Sequence, residues 1–117
     1  MKVKTAELSG VQLDYAVAWT IDSGQPVLHI TSETSFVELN EEVYSPSTDW
    51  SQCGNLIEAE GIEFKWVSDA TLEAHSYLHD PHYGYGLTHQ EAACRLIVAS
   101  KLGDEVDIPD ELMEVGE

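Results

Sequence analysis

A chain of 117 residues, 43% of them hydrophobic and with three Trp, five Tyr and two Phe, is long enough for one domain whose modest core needs neither metal nor disulfide. Against 22 Asp and Glu stand only 5 Lys and Arg, a net charge of −17, which disfavours direct contact with nucleic acid or an anionic membrane because phosphate binding depends on Lys and Arg. The same field suits two readings, a solvated acidic surface or attraction to a basic partner, mimicry of the charge of DNA included.

The opening "MKVKTAELSG" has no apolar signal core, and no window approaches about eighteen apolar residues, so a soluble, unexported, cytoplasmic protein is expected. Ser9 and Gln12 have the spacing of a capping box, with Leu8 and Leu13 in the flanking staple positions. Leu13, Ala16, Val17 and Thr20 then recur at helical spacing, and Gly24 offers a left-handed stop, predicting a helix to about Asp22. "PVLHIT" and "SFVEL" read as two short strands, able to form a hairpin. Ile62, Phe64 and Trp66 alternate with Glu63 and Lys65, and "TLEAHSYL" is the expected antiparallel partner across Ser68, Asp69 and Ala70.

Thr88 and Glu91 make a second capping box before Ala92, Ala93, Leu96, Ile97 and Ala99, and Gly103 supplies the stop. The tail "DEVDIPDELMEVGE" has seven acidic residues and no Lys or Arg. It predicts an extended peripheral segment over 104–117, held at most by Val106, Ile108 and Leu112, after a domain over 1–103. The expectation is one α+β domain: a small, mostly antiparallel sheet of three to five strands with two main helices on one face. Its exposed edges would favour a homodimer.

Between these elements lies "YSPSTDWSQCGNLIEAEGI". Asn55 and Glu58 are spaced as an N-cap pair, and Gly61 ends the turn. Upstream, Pro46, Ser47, Thr48 and Asp49 can form a self-bonded turn, or, beside the Trp50 indole, hold a polar ring-bearing ligand. "HYGYGLTHQ" reads as a flexible glycine loop before a helix. Its Tyr83 and Tyr85, with Trp50 and Arg95, could clamp a nucleobase and one anionic group. The ligand-site candidates are therefore Ser47, Thr48, Asp49, Trp50, Tyr83, Tyr85 and Arg95.

His75, His79 and His82, with Asp80 and His89 near in sequence, are weak metal candidates that match no zinc pattern. Cys53 and Cys94 are far apart and outside any CxxC spacing, which suggests reduced thiols. No catalytic residue is assigned, because no serine elbow or activated cysteine is present, and no cofactor is expected.

"KTAELSGVQLDYAVA", "YSPSTDWSQCG" with "IEAEGI", and "AACRLIVASKLGDEVDIP" resemble, in order and spacing, the NinX-like family of small phage and prophage proteins. The chain departs from the family pattern at Cys53-Gly54 and in "YGYGLTHQ". The resemblance implies a phage accessory role in a bacterial host, with no known reaction and no catalytic residues. Three functions follow as expectations. The first is binding and blocking of a basic host or defence protein, the second sequestration of a nucleotide-like signal, and the third, on the histidines, metal-assisted hydrolysis.

Overall fold

The computed structural model describes residues 1–21, 25–31 and 34–115. In chain order the elements are β1 (Lys2–Lys4), a 3-10 turn (Thr5–Glu7), α1 (Gly10–Trp19), β2 (Val27–Ile30), β3 (Ser35–Leu39), β4 (Glu42–Val43) and α2 (Trp50–Ala59). There follow β5 (Ile62–Trp66), β6 (Leu72–Ser76), a second 3-10 turn (Tyr77–His79), β7 (Tyr83–Gly86), α3 (His89–Leu102), β8 (Glu105–Asp107) and α4 (Asp110–Val115). The fold is α+β and every strand pairing is antiparallel.

Among the described residues the expected single sheet is instead three small ones, β1–β8, β2–β3–β4 and β5–β6–β7. The predicted hairpin forms with Val27 opposite Glu38, and continues through a two-residue turn into β4. That turn places Asn40 and Glu41 at positive φ, 54° and 70°, the geometry whose twist matches antiparallel strands. Ile62–Trp66 pairs with Leu72–Ser76 as the alternation predicts.

Among the described residues three substantial helices, not two, pack on the sheets, α1 against β3, α2 against β5 and α3 against β6 and β7. The predicted start at Ser9 is right, yet Ser9 makes no side-chain cap, and Gln12 Nε2 donates to the Leu112 carbonyl, tying α1 to the far end of the chain. Gly24, the expected stop, lies outside the described residues; α1 ends at Trp19, with Thr20 Oγ1 donating to Val17 O. The middle helix begins at Trp50, capped by Asp49, earlier than the Asn55/Glu58 spacing predicts, because Asp49 offers a stronger cap.

α3 is the axis of the core. Thr88 caps it by accepting the Glu91 N–H, and Gly103, at φ 100°, ends it. Ala92, Ala93, Leu96 and Ile97 are buried with Leu13 and Val17 of α1, Cys53 of α2, and Leu72 and Ala74 of β6. Burial of about 0.8 kcal/mol per methylene makes this cluster the main stabilising term. Val106, Ile108 and Leu112, the anchors expected of the acidic tail, belong to the same cluster, and within that tail 105–107 form a strand on β1 and 110–115 a helix. A smaller cluster of Ala18, Val37 and Leu39 lies under the β2–β3–β4 sheet.

Candidate functional site

The polar residues around Trp50 are consumed in building the start of α2. Asp49 Oδ1 accepts N–H bonds from Ser51 (2.8 Å) and Gln52 (3.3 Å), which satisfies two of the donors every helix start leaves open. Gln52 closes the turn, accepting from Ser45 N and donating to Val43 O, both at 2.7 Å. Thr48 Oγ1 donates to Ser45 O at 3.4 Å. Ser47 N–H donates at 2.8 Å to Oδ1 of Asp14 on α1. Trp50 itself stays 57% exposed. Its ring lies 6.0 Å from that of His89, which also meets Phe64 at 4.8 Å and Trp66 at 6.3 Å.

"YGYG" is a strand and not a flexible loop, for a reason of packing. Its inward positions are Gly84 and Gly86, and a Cβ at Gly84 would stand 2.2 Å from Ala92 O and 2.4 Å from Leu96 N. A Cβ at Gly86 would stand 2.8 Å from Ala92 N. Glycine here lets α3 lie directly on the strand backbone. Strand alternation then forces Tyr83 and Tyr85 to the opposite, outer face, where they are 43% and 45% exposed.

That outer face is built across all three strands. Glu63 stands opposite His75, which stands opposite Tyr83; Lys65 stands opposite Glu73, which stands opposite Tyr85. His75 stacks on Tyr83 at 4.9 Å, and Tyr83 on Tyr85 at 6.5 Å, both at 21°. Tyr85 OH donates to Glu73 Oε2 at 3.1 Å, and His75 Nε2 is 3.4 Å from Asp80 Oδ1. The result is a pre-ordered aromatic ladder rimmed by carboxylates.

Of the residues expected to form one clamp, Tyr83, Tyr85 and Arg95 line a common cavity beside Lys4, and Trp50 lies apart from them. Phe64 aligns with Ala74 and Gly84 on the α3 side, so Trp50, which meets the same His89 ring, is on that side, and Tyr83 and Tyr85 are on the other. Arg95, the expected anion ligand, is committed to backbone. Its Nε and NH2 donate to Leu8 O at 3.0 and 2.8 Å, its NH1 to Tyr85 O at 2.7 Å, and Glu91 pairs with it at 3.2 Å. It ties the outward edge of β7 to the start of α1 and has little left for a phosphate.

The histidines also disperse: His75 to the tyrosine ladder, His89 to Trp50 and Phe64, and His79 to a buried relay. Among the described residues no group of three His, Cys, Asp or Glu side chains converges as for a metal. The relay was not foreseen. His79 Nδ1 lies 2.7 Å from Ser100 Oγ, and its Nε2 lies 2.6 Å from Glu60 Oε1. It has the residue types of a serine–histidine–carboxylate triad with the two ring nitrogens exchanged, the serine on Nδ1 and the carboxylate on Nε2. Ser100, however, sits in the last turn of α3, where the carbonyl end of the helix is negative, the wrong field for an oxyanion. The relay works as a staple joining the end of α2, the second 3-10 turn and α3. No sequence signal links three residues so far apart.

Among the described residues no helix is long and apolar enough to cross a membrane. No curated protein matches the chain. A family model described as Bacteriophage P22, NinX matches residues 4–101. That span contains both the capped turn and the tyrosine ladder, and on it the chain belongs to the Bacteriophage P22 NinX family of phage proteins.

Proposed function

We propose that this phage protein acts by binding and not by catalysis, and that the outer face of β5–β6–β7 receives a basic protein of the bacterial host, which it thereby blocks. The observation that carries this reading is the uncovered ladder of His75, Tyr83 and Tyr85 beside Glu63, Glu73 and Asp80. Tyrosine and arginine dominate the energetic centres of interfaces. An arginine or lysine stem can lie across a tyrosine ring while its charged head meets Glu63 or Glu73. Stacking has already fixed the rotamers, so little side-chain entropy remains to be lost on binding. The −17 charge would steer such a partner in and speed association at low salt.

A second copy of the chain is a poorer occupant, since a two-fold axis through this face would set Glu63, Glu73 and Asp80 of both copies against one another. A nucleotide is also disfavoured, because Arg95 is engaged with backbone carbonyls and Glu91, and the lysines near the tyrosines, Lys4 and Lys65, stand among Glu73, Asp104 and Glu105. Affinity capture from host lysate at low and high salt tests the proposal. A partner retained at low salt, reduced at high salt and lost with a Tyr83→Ala/Tyr85→Ala double variant that still unfolds cooperatively supports it. Retention indifferent to salt, or unchanged in the double variant, rejects this face.

A further inference from the structure

Between the N-terminal half of α1, β3 and the Ser45–Thr48 turn lies a cavity of about 210 Å³, lined by polar Asp14, Ser35, Ser47 and Thr48 and by Phe36 and Tyr44. Asp14 is only 5% exposed. Its Oδ1 accepts the Ser47 N–H, but among the described residues the His29, His75, His79, Arg95 and Lys101 side chains pair with other carboxylates. Ser35 Oγ is buried in the same wall without a hydrogen-bond partner among the described residues. A carboxylate withdrawn from water without a counter-charge, next to an unsatisfied hydroxyl, is unfavourable twice over. Such a pair in a cleft marks a site awaiting a complementary group.

We propose that this cavity binds the head of a small organic cation, a primary ammonium or a guanidinium. Asp14 is its counter-ion, Ser35 Oγ and the Thr48 hydroxyl are further acceptors, and Tyr44 flanks the stem. An ammonium has three donors and a guanidinium five, with no acceptor, which suits a wall of one carboxylate and several hydroxyl oxygens. An aromatic residue in the wall, Tyr44, favours a cation over a neutral head. The volume is below the roughly 300–1,000 Å³ of sites for drug-sized ligands, so it takes a short stem with one charged head and not a nucleotide. Burial also pushes the Asp14 carboxyl up to about 6, against the lowering effect of Ser47, the state a bound cation would reverse. The cavity is separate from the tyrosine face, so neither proposal depends on the other.

The test is an amide-resolved NMR titration of the full chain with butylammonium and methylguanidinium chlorides at fixed ionic strength. The Ser47 amide reports directly, because it donates to Asp14. A saturating shift there, absent with 1-butanol, weakened at least tenfold in Asp14→Asn and several-fold in Ser35→Ala, is the expected result. Asp14→Asn keeps an oxygen for Ser47, and Ser35→Ala serves as the readout if the first variant fails to fold. An arm with Nα-acetyl-arginine amide identifies the source: saturation by it points to an arginine side chain of a partner, and its exclusion to a free amine. A non-saturating drift over the acidic surface, or equal binding by Asp14→Asn, overturns the proposal as mere counter-ion association.

Discussion

"YSPSTDW" and "HYGYG" look alike as sequences: short, rich in turn formers, and bearing exposed aromatic residues beside a helix start. In the folded chain they are opposites. The first uses its hydroxyls, carboxylate and amide to satisfy backbone, with Asp49 capping α2 and Ser47 bonded to Asp14. The second asks its glycines only to be small, so that α3 can lie against them, and leaves its tyrosines free on the far side. A polar side chain near a helix start is usually engaged by the backbone donors there. An aromatic side chain opposite a glycine in a strand has been placed outside by geometry alone.

Substitutions can break that contrast. The largest effect belongs to the inner side of the tyrosine strand: Gly84→Ala drives a methyl into the Ala92 carbonyl and should destabilise by about 3 kcal/mol or more, read from urea unfolding. A small effect would mean that α3 can lift off β7.

Next comes Asp14, held by the capped turn. Its folded-state carboxyl is raised to about 6 from 3.8, so the folded state binds the proton more tightly than the unfolded one. Between those values stability falls as pH rises, and the protein should gain roughly 2–3 kcal/mol from this group as pH drops from about 7 to 4. Self-repulsion of the −17 chain adds a slope of the same sign. Asp14→Asn should therefore flatten the profile only in part, matching the parent near pH 4 and exceeding it near pH 7.5 in thermal unfolding. A variant curve parallel to the parent would show that Asp14 titrates normally.

Asp49→Ala should lose about 1 kcal/mol with the cap, detectable as a shift in the urea midpoint. The smallest change is expected at the outer face, where Tyr85→Ala should move stability by under about 0.5 kcal/mol. A Tyr85 loss as large as that at Asp49 would make the ladder a structural element and erase the contrast between the two regions.

What the sequence exposed most clearly was local and periodic. Thr88 with Glu91, the Gly103 stop and the Ile62–Phe64–Trp66 alternation are all read within a few residues. The fragmentation into three sheets was hidden because it depends on which strand meets which helix. Asn55 misled because Asp49 competes for the same role and, with two backbone donors, wins. "YGYG" is itself a period-two pattern, but its inner face carries no hydrophobic side chain to signal a strand, only room for one helix. Ser47, Thr48 and Asp49 were visible as turn chemistry, and Asp14 was not visible at all, since a carboxylate in an early helical turn reads as solvated until the Ser45–Thr48 turn and β3 close over it.

The β1–β8 ribbon has a consequence for how the chain is made. Lys2 pairs with Asp107 and Lys4 with Glu105, so β1 is made long before the strand it pairs with. Bringing such distant segments together carries a closure entropy of about 4 kcal/mol for a loop on the order of a hundred residues. Only a nearly complete core can offset it. Helices and hairpins can form while translation proceeds, but Val106, Ile108 and Leu112 enter the core last, and until they do the nascent domain has an open seam along α1 and α3. The domain can therefore close only once Val106, Ile108 and Leu112 have been made.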